Sequence, residues 1–313
     1  MSELTSRPVA LDKQGVSWGG TKPLARHWKW VLGGAAVLMA ALIAAALWDR
    51  PEVGGDDGAV LVGEARRGGL TVELPAAVRD IRIREARVPG RPIVLIDPGH
   101  GGRDPGAPSV SGALTEKQLT LTMGSELADL LEQRGRVRVA MAREADRYLT
   151  LEQRAAIARR VGASLFISLH MDSAPNPWAR GVTFYSLSNV ASSAEAARFA
   201  QAENRAGALT SEDDGSLRAI LSDLALRDQM EASAALAQRL VRRAAGRVAL
   251  RPRPHQFAAF HVLRRAETPA LLVEAGYISN GDDEAMLATS EGRAPLVLVL
   301  AQAIEADLAA RSR

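Results

Sequence analysis

The stretch that decides the fold is IVLIDPGHGGRDPGA, Ile93 to Ala107. With Pro92 ahead of it, its apolar first half predicts a buried strand over 92–97. Pro98, Gly99, Gly101 and Gly102 then remove side-chain bulk and admit unusual dihedrals, so the chain turns tightly and leaves His100 facing an open site. Core packing does not explain an imidazole in that place. A phosphate-binding loop is excluded, because its lysine and its serine or threonine are absent and Arg103 followed by Asp104 does not replace them. Working outward, RVRVAMA (136–142), SLFISLH (164–170), VTFYSLS (182–188) and PALLVEA (269–275) predict four more strands. Helical patterns lie at about 117–134, 150–161, 193–207, 216–245 and 294–310. Strands separated by helices predict an α/β fold with an open central, mostly parallel sheet and helices on both faces.

In such a sheet, ligand sites lie beyond the carboxyl ends of the strands. His100, His170 and Glu274 fall at or just past predicted strand ends, and Glu116 opens the helix after the first strand, with Thr115 as its N-cap. A glutamate in a first helical turn has an ordinary explanation in the helix dipole. His170 and Glu274, by contrast, interrupt strongly apolar segments. Two imidazoles and one carboxylate are a common ligand set for catalytic zinc, with one position left for water. Either Glu116 or Glu274 completes that set while the other serves as base; spacing does not choose. The chain has no cysteine, which excludes thiolate ligands and cysteine nucleophiles. It has no HExxH helix, and none of Ser111, Ser168 and Ser173 stands in a GxSxG elbow.

The 313-residue chain carries 39 lysines and arginines against 36 acidic residues, a net charge of +3. Its arginines are scattered among glutamates and alanines, which gives no footing for nucleic acid. Val31 to Trp48 is an uncharged run that spans about 27 Å as a helix, close to the ~30 Å hydrocarbon core of a bilayer. Trp28, Trp30 and Trp48 mark its edges. The charged residues of 1–30 are mostly basic and those of 49–58 mostly acidic, which places the amino terminus in the cytoplasm and everything after Trp48 outside it. The expectation is therefore a cytoplasmic basic tail (1–30), a single transmembrane signal anchor in the lipid bilayer (31–48), a linker with short strands in LTVEL (70–74) and IRIRE (81–85), and a main domain over 92–313. A signal sequence cut near Ala44 to Ala46, with secretion, and a buried alanine-rich helix are the alternatives.

Five motifs taken together are IVLIDPGHGGRDPGA, LTEKQLTL, READRYLTLEQR (143–154), SLFISLHMDSAPN and LRRAETPALLVEAGYISN (263–280). With them the sequence resembles the zinc-dependent N-acetylmuramoyl-L-alanine amidases of the bacterial cell-separation type, over roughly 92–310. The resemblance implies hydrolysis of the amide between the lactyl group of N-acetylmuramic acid and the L-alanine of the peptidoglycan stem. It implies one Zn(2+) on His100, Glu116 and His170, with Glu274 as the catalytic glutamate, in a domain outside the cytoplasm. Asp97 is a candidate to accept from the other ring nitrogen of a zinc-bound histidine. Met171 stands where these enzymes often have alanine and Tyr277 where phenylalanine is more usual; both read as packing changes, although Met171 is close enough to the metal to affect a groove wall.

Some members of that family carry a helical segment that blocks the zinc until a protein activator binds. Ala202 to Leu226, with Glu203, Glu212, Asp213 and Asp214, is the place to look, although an acidic solvated connection followed by an ordinary helix is the plainer reading. His255 and His261 are expected in surface or packing roles, and Arg154 and Asp146 in a structural ion pair or cap. The rival functions are a non-catalytic peptidoglycan-binding or scaffold protein on the same fold, and a zinc peptidase or deacetylase on another amide.

Overall fold

Seven strands make one sheet: β1 (Ile83–Arg84), β2 (Ile93–Pro98), β3 (Arg138–Met141), β4 (Ala163–Asp172), β5 (Val182–Leu187), β6 (Leu250–Ala258) and β7 (Ala270–Tyr277). They lie in the order β1-β3-β2-β4-β7-β5-β6. The computed structural model describes residues 80–206 and 218–312, without the side chains of 206 and 218–224. The basic tail, the apolar run 31–48, LTVEL and Glu212 lie outside the described residues. Among those described, no helix is long and apolar enough to cross a membrane.

Every residue of β2, β5 and β7 is buried, as expected of strands covered on both faces. The neighbours β3/β2, β2/β4, β4/β7 and β5/β6 run parallel, while β1/β3 and β5/β7 run antiparallel, so the sheet is mixed and mostly parallel. The reversal at β5 follows from length. A parallel crossover needs a dozen or more residues, and only 173–181 separate β4 from β5. β6 was not expected as a strand: Pro252 and Pro254 break its pattern, and they are tolerated because it forms an edge of the sheet.

Helices cover both faces. On one, α1 (Glu116–Arg134), α4 (Arg218–Ala244), α6 (Gly281–Ala288) and α7 (Ser290–Arg311) pack Met123, Leu127, Leu240, Leu287 and Leu300 against Val94, Ile96, Ile167 and Val273. On the other, α2 (Leu151–Val161), α3 (Ala194–Ala206) and α5 (His261–Arg265) pack Ile157, Ala196, Ala200 and Leu263 against Leu95, Phe166, Tyr185 and Leu272. Caps fix where α1 and α2 begin. Gln118 accepts from the Thr115 N–H (3.1 Å), and Gln153 accepts from the Thr150 N–H (2.9 Å). Gly135 and Gly162, both left-handed, end the same two helices. The first of these caps sets Glu116 at the rim of the sheet.

Candidate active site

His100 lies two residues past β2 with φ of 58°, a conformation uncommon for a residue with a side chain. Two buried guanidinium groups hold it there. Arg143 donates to the carbonyls of Pro98 (2.9 Å), Gly99 (2.8 Å) and Lys117 (2.9 Å). Arg154 donates to the carbonyls of Pro98 and His100 (both 2.8 Å) and to Asp97 Oδ1 (2.5 Å). Replacing Arg154 with leucine leaves the buried Asp97 carboxylate without its cation. That is expected to cost about 3–5 kcal/mol of folding stability, read as a lower urea midpoint.

The turn fixes the ring as well as the backbone. Asp104 Oδ2 accepts from His100 Nδ1–H at 2.9 Å, which leaves the lone pair on Nε2. That Nε2 is buried, lacks a hydrogen bond of proper geometry, and lies 2.9 Å from Glu116 Oε1. Two lone pairs so close need a positive charge between them, and without a metal ion a proton on Nε2 supplies it. His170 Nδ1 is 3.1 Å from the same Glu116 oxygen and 3.4 Å from Glu203 Oε2. Donor atoms of His100, His170 and Glu203 all lie within 4.8 Å of one another, a spacing that could hold one metal ion.

The electrostatics agree. Burial disfavours the His100 imidazolium, but Glu116, Asp104 and Glu203 outweigh it and push the group up to about 10. Burial would raise Glu116; His100 and His170 instead hold it well below the usual carboxylate range. The site is thus a pocket of negative charge arranged around a place for a cation.

Glycines leave room for these groups. A Cβ on Gly99 would stand 2.4–2.8 Å from three atoms of the His170 ring, and one on Gly106 would stand 2.5 Å from Glu116 Oε2. Gly99→Ala is therefore expected to displace His170 and weaken metal binding about ten- to a hundredfold, measured by competition with a chromogenic chelator.

Glu274 sits one strand away from the cluster, as the register partner of His170 on β7. It is fully buried, and neither carboxylate oxygen has a hydrogen-bond partner among the described residues. Burial, followed by the charges of Asp172, Glu116 and Glu203, pushes its pKa well above the usual value. Such a carboxylate is suited to taking and holding a proton.

The structure thus brings His100, Glu116, His170 and Glu274 to one rim and adds Glu203, which sequence reasoning had only as part of a blocking segment. Asp97 is placed differently from its expectation: it pairs with Arg154 and accepts from Ser168 (3.1 Å), and the carboxylate on His100 Nδ1 is Asp104. Met171 takes the packing role of its two readings. Alternation along β4 turns its side chain into the core on the face opposite His170, so it forms no groove wall, while its N–H donates to Glu116 Oε1 (3.1 Å). Asp146 accepts from the Gly102 N–H (2.7 Å) and Lys117 Nζ (2.7 Å), and His255 bonds Ser186 (2.9 Å).

Glu203 arrives on α3, which docks through Phe199 against Tyr185 and Phe260, with ring centroids 5.2 and 5.6 Å apart. Asn204 donates to the Ala259 carbonyl (2.8 Å) and accepts from the His261 N–H (2.8 Å). With α3 in this place the cavity among His100, His170, Glu203 and Phe260 measures only about 20 Å³, room for about one water.

The sequence profile of the N-acetylmuramoyl-L-alanine amidases matches residues 94–306. N-acetylmuramoyl-L-alanine amidase AmiA of Escherichia coli (strain K12) is 33% identical over 220 residues, 69% of this chain and 75% of the relative. N-acetylmuramoyl-L-alanine amidase AmiC of Neisseria meningitidis serogroup B is 34% identical over 221 residues, 69% of this chain and 52% of the relative. Among solved structures, the catalytic domain of the amidase CwlV from Bacillus (Paenibacillus) polymyxa superposes with a TM-score of 0.50 at 23% identity, covering 68% of this chain and 96% of that one. That last likeness is one of fold.

Proposed function

This chain belongs to the N-acetylmuramoyl-L-alanine amidase family, and on that premise we propose how its own residues cleave the bond. The reaction is hydrolysis of the amide between the lactyl group of N-acetylmuramic acid and the L-alanine of the peptidoglycan stem. His100, Glu116 and His170 would hold one zinc ion, a set supported by the buried Nε2 of His100, which has no well-formed hydrogen bond among the described residues, and its 2.9 Å approach to Glu116. Zinc, when bound, supplies Lewis acidity that polarises the scissile carbonyl and acidifies the attacking water. Glu274 takes the proton from that water and delivers it to the leaving nitrogen of L-alanine. Asp104 keeps the His100 ring in the tautomer that presents Nε2. The observation that carries this reading is the register of β4 and β7, which sets the unpartnered Glu274 directly beside His170.

Mass spectrometry of wall fragments digested by the protein tests the reaction. The expected products are stem peptides with a free L-alanine amine and glycans with an intact lactyl carboxylate. Released acetate would instead mark a deacetylase, cuts within the stem would mark a peptidase, and pelleting with the wall without product would mark a binding protein.

Glu203 supports a second layer. The cavity beside the two histidines is only about 20 Å³, which supports a reading in which α3 moves before substrate enters, with Glu203 near His170 one of the contacts that hold it closed, beside those of Phe199 and Asn204. A protein activator that displaces α3 fits this arrangement. We also read 31–48 as a signal anchor and 92–313 as a catalytic domain outside the cytoplasm, from the apolar run and its flanking charges. A mature protein beginning after Ala46 would replace the anchor with secretion.

A further inference from the structure

Glu274 is the middle member of a row across three strands. On one side stands His170 of β4, and on the other, directly opposite in the antiparallel register, Thr183 of β5. Opposed residues on neighbouring strands project from the same face with Cβ atoms about 4.5–5.5 Å apart. Thr183 is fully buried, and its hydroxyl has no hydrogen-bond partner among the described residues. The same is true of both Glu274 oxygens, so an O–H donor and a carboxylate acceptor stand on opposed residues, each without a partner among the described residues. Side chains on residues opposed at that spacing can meet through rotamer changes of Thr183 and Glu274.

Packing does not account for this hydroxyl. A buried O–H without a partner lowers stability, and valine would fill the same space without that cost. We propose that Thr183 is a positioning residue for the reaction: its hydroxyl donates to the Glu274 carboxylate and holds it in the orientation that faces the His170 side of the row. The inference rests on Glu274 being the proton carrier. It assigns Thr183 no contact with substrate and no part in bond making.

Full-length zinc-loaded protein carrying Thr183→Val, Thr183→Ala or Thr183→Ser, with Glu274→Gln alongside, is assayed on a soluble muramyl peptide. Valine keeps the shape and loses the hydroxyl, serine keeps the hydroxyl and loses the methyl, and alanine loses both. Valine and alanine are expected to lower kcat about ten- to a hundredfold, with KM and metal content unchanged, and serine to stay within about threefold of the parent. Full kcat in the valine variant would overturn the proposal, and so would serine falling as far as alanine. If the valine variant does not fold, the serine-to-alanine ratio decides, and a ratio near one overturns it. An active Glu274→Gln would sink the assignment of Glu274 itself; an inactive one beside a fully active Thr183→Val sinks the role of Thr183 alone.

Discussion

Glu274→Gln is expected to lower amidase turnover about 10³-fold while the protein keeps its metal, the range that loss of a positioned proton carrier produces. The substitution preserves shape and removes the one property the site uses. An amide cannot take a proton from water at neutral pH, and nothing else on β7 replaces it, since Val273 and Ala275 turn to the opposite face. Metal retention follows from geometry: the atoms that surround the cation position belong to His100, Glu116, His170 and Glu203, and Glu274 is one strand away. Stability should hold or rise, because a neutral group replaces a fully buried carboxylate that has no hydrogen-bond partner among the described residues and is opposed by Asp172, Glu116 and Glu203. Elemental analysis, product release and thermal melts on one preparation read all three. Loss of the metal would make Glu274 a ligand, and retained turnover would move the proton step to another group, with Glu203 the nearest carboxylate on the facing helix.

What the sequence discloses about this site depends on how far each interaction reaches along the chain. His100, His170 and Glu274 are visible because each breaks or ends an apolar strand, and strand ends in an α/β sheet converge at one edge. Asp104 is not visible as the partner of His100, since the left-handed backbone at His100 decides that the carboxylate four residues on, not Asp97 three residues before, meets Nδ1. The placement of Met171 is implicit in the alternation of β4, which sends His170 and Met171 to opposite faces. β6 escapes notice because its prolines and arginines hide the pattern of a strand that needs pairing on one edge only. Glu203 is the hardest to place. Its approach to His170 depends on Phe199 docking on Tyr185 and Phe260, a contact across some sixty residues that no local pattern encodes.

Glu116→Ala and Glu203→Ala are expected to act in opposite directions, though both carboxylates lie within 3.4 Å of His170 Nδ1. Glu116 is set before any ligand arrives: its two oxygens accept from the backbone N–H groups of Met171 (3.1 Å) and Ala107 (3.0 Å), and the capped first turn of α1 fixes its Cα. His100 and His170 keep it ionised. Removing it takes away a preorganised ligand and also the acceptor for two buried amides, so metal content and turnover should both fall to background. Among the described residues no backbone N–H donates to Glu203 in this way. Burial pushes its pKa up, with His170 pulling the other way and Glu116 adding like-charge repulsion. Its hold on the site is therefore a single charge-assisted contact that works against desolvation. Alanine there should leave the metal bound and raise the basal rate on isolated peptidoglycan about tenfold, the change expected if that contact keeps α3 closed by about 1.4 kcal/mol. A Glu203→Ala protein that loses metal together with activity would make Glu203 a permanent ligand, and α3 would then be a wall of the site and not its cover.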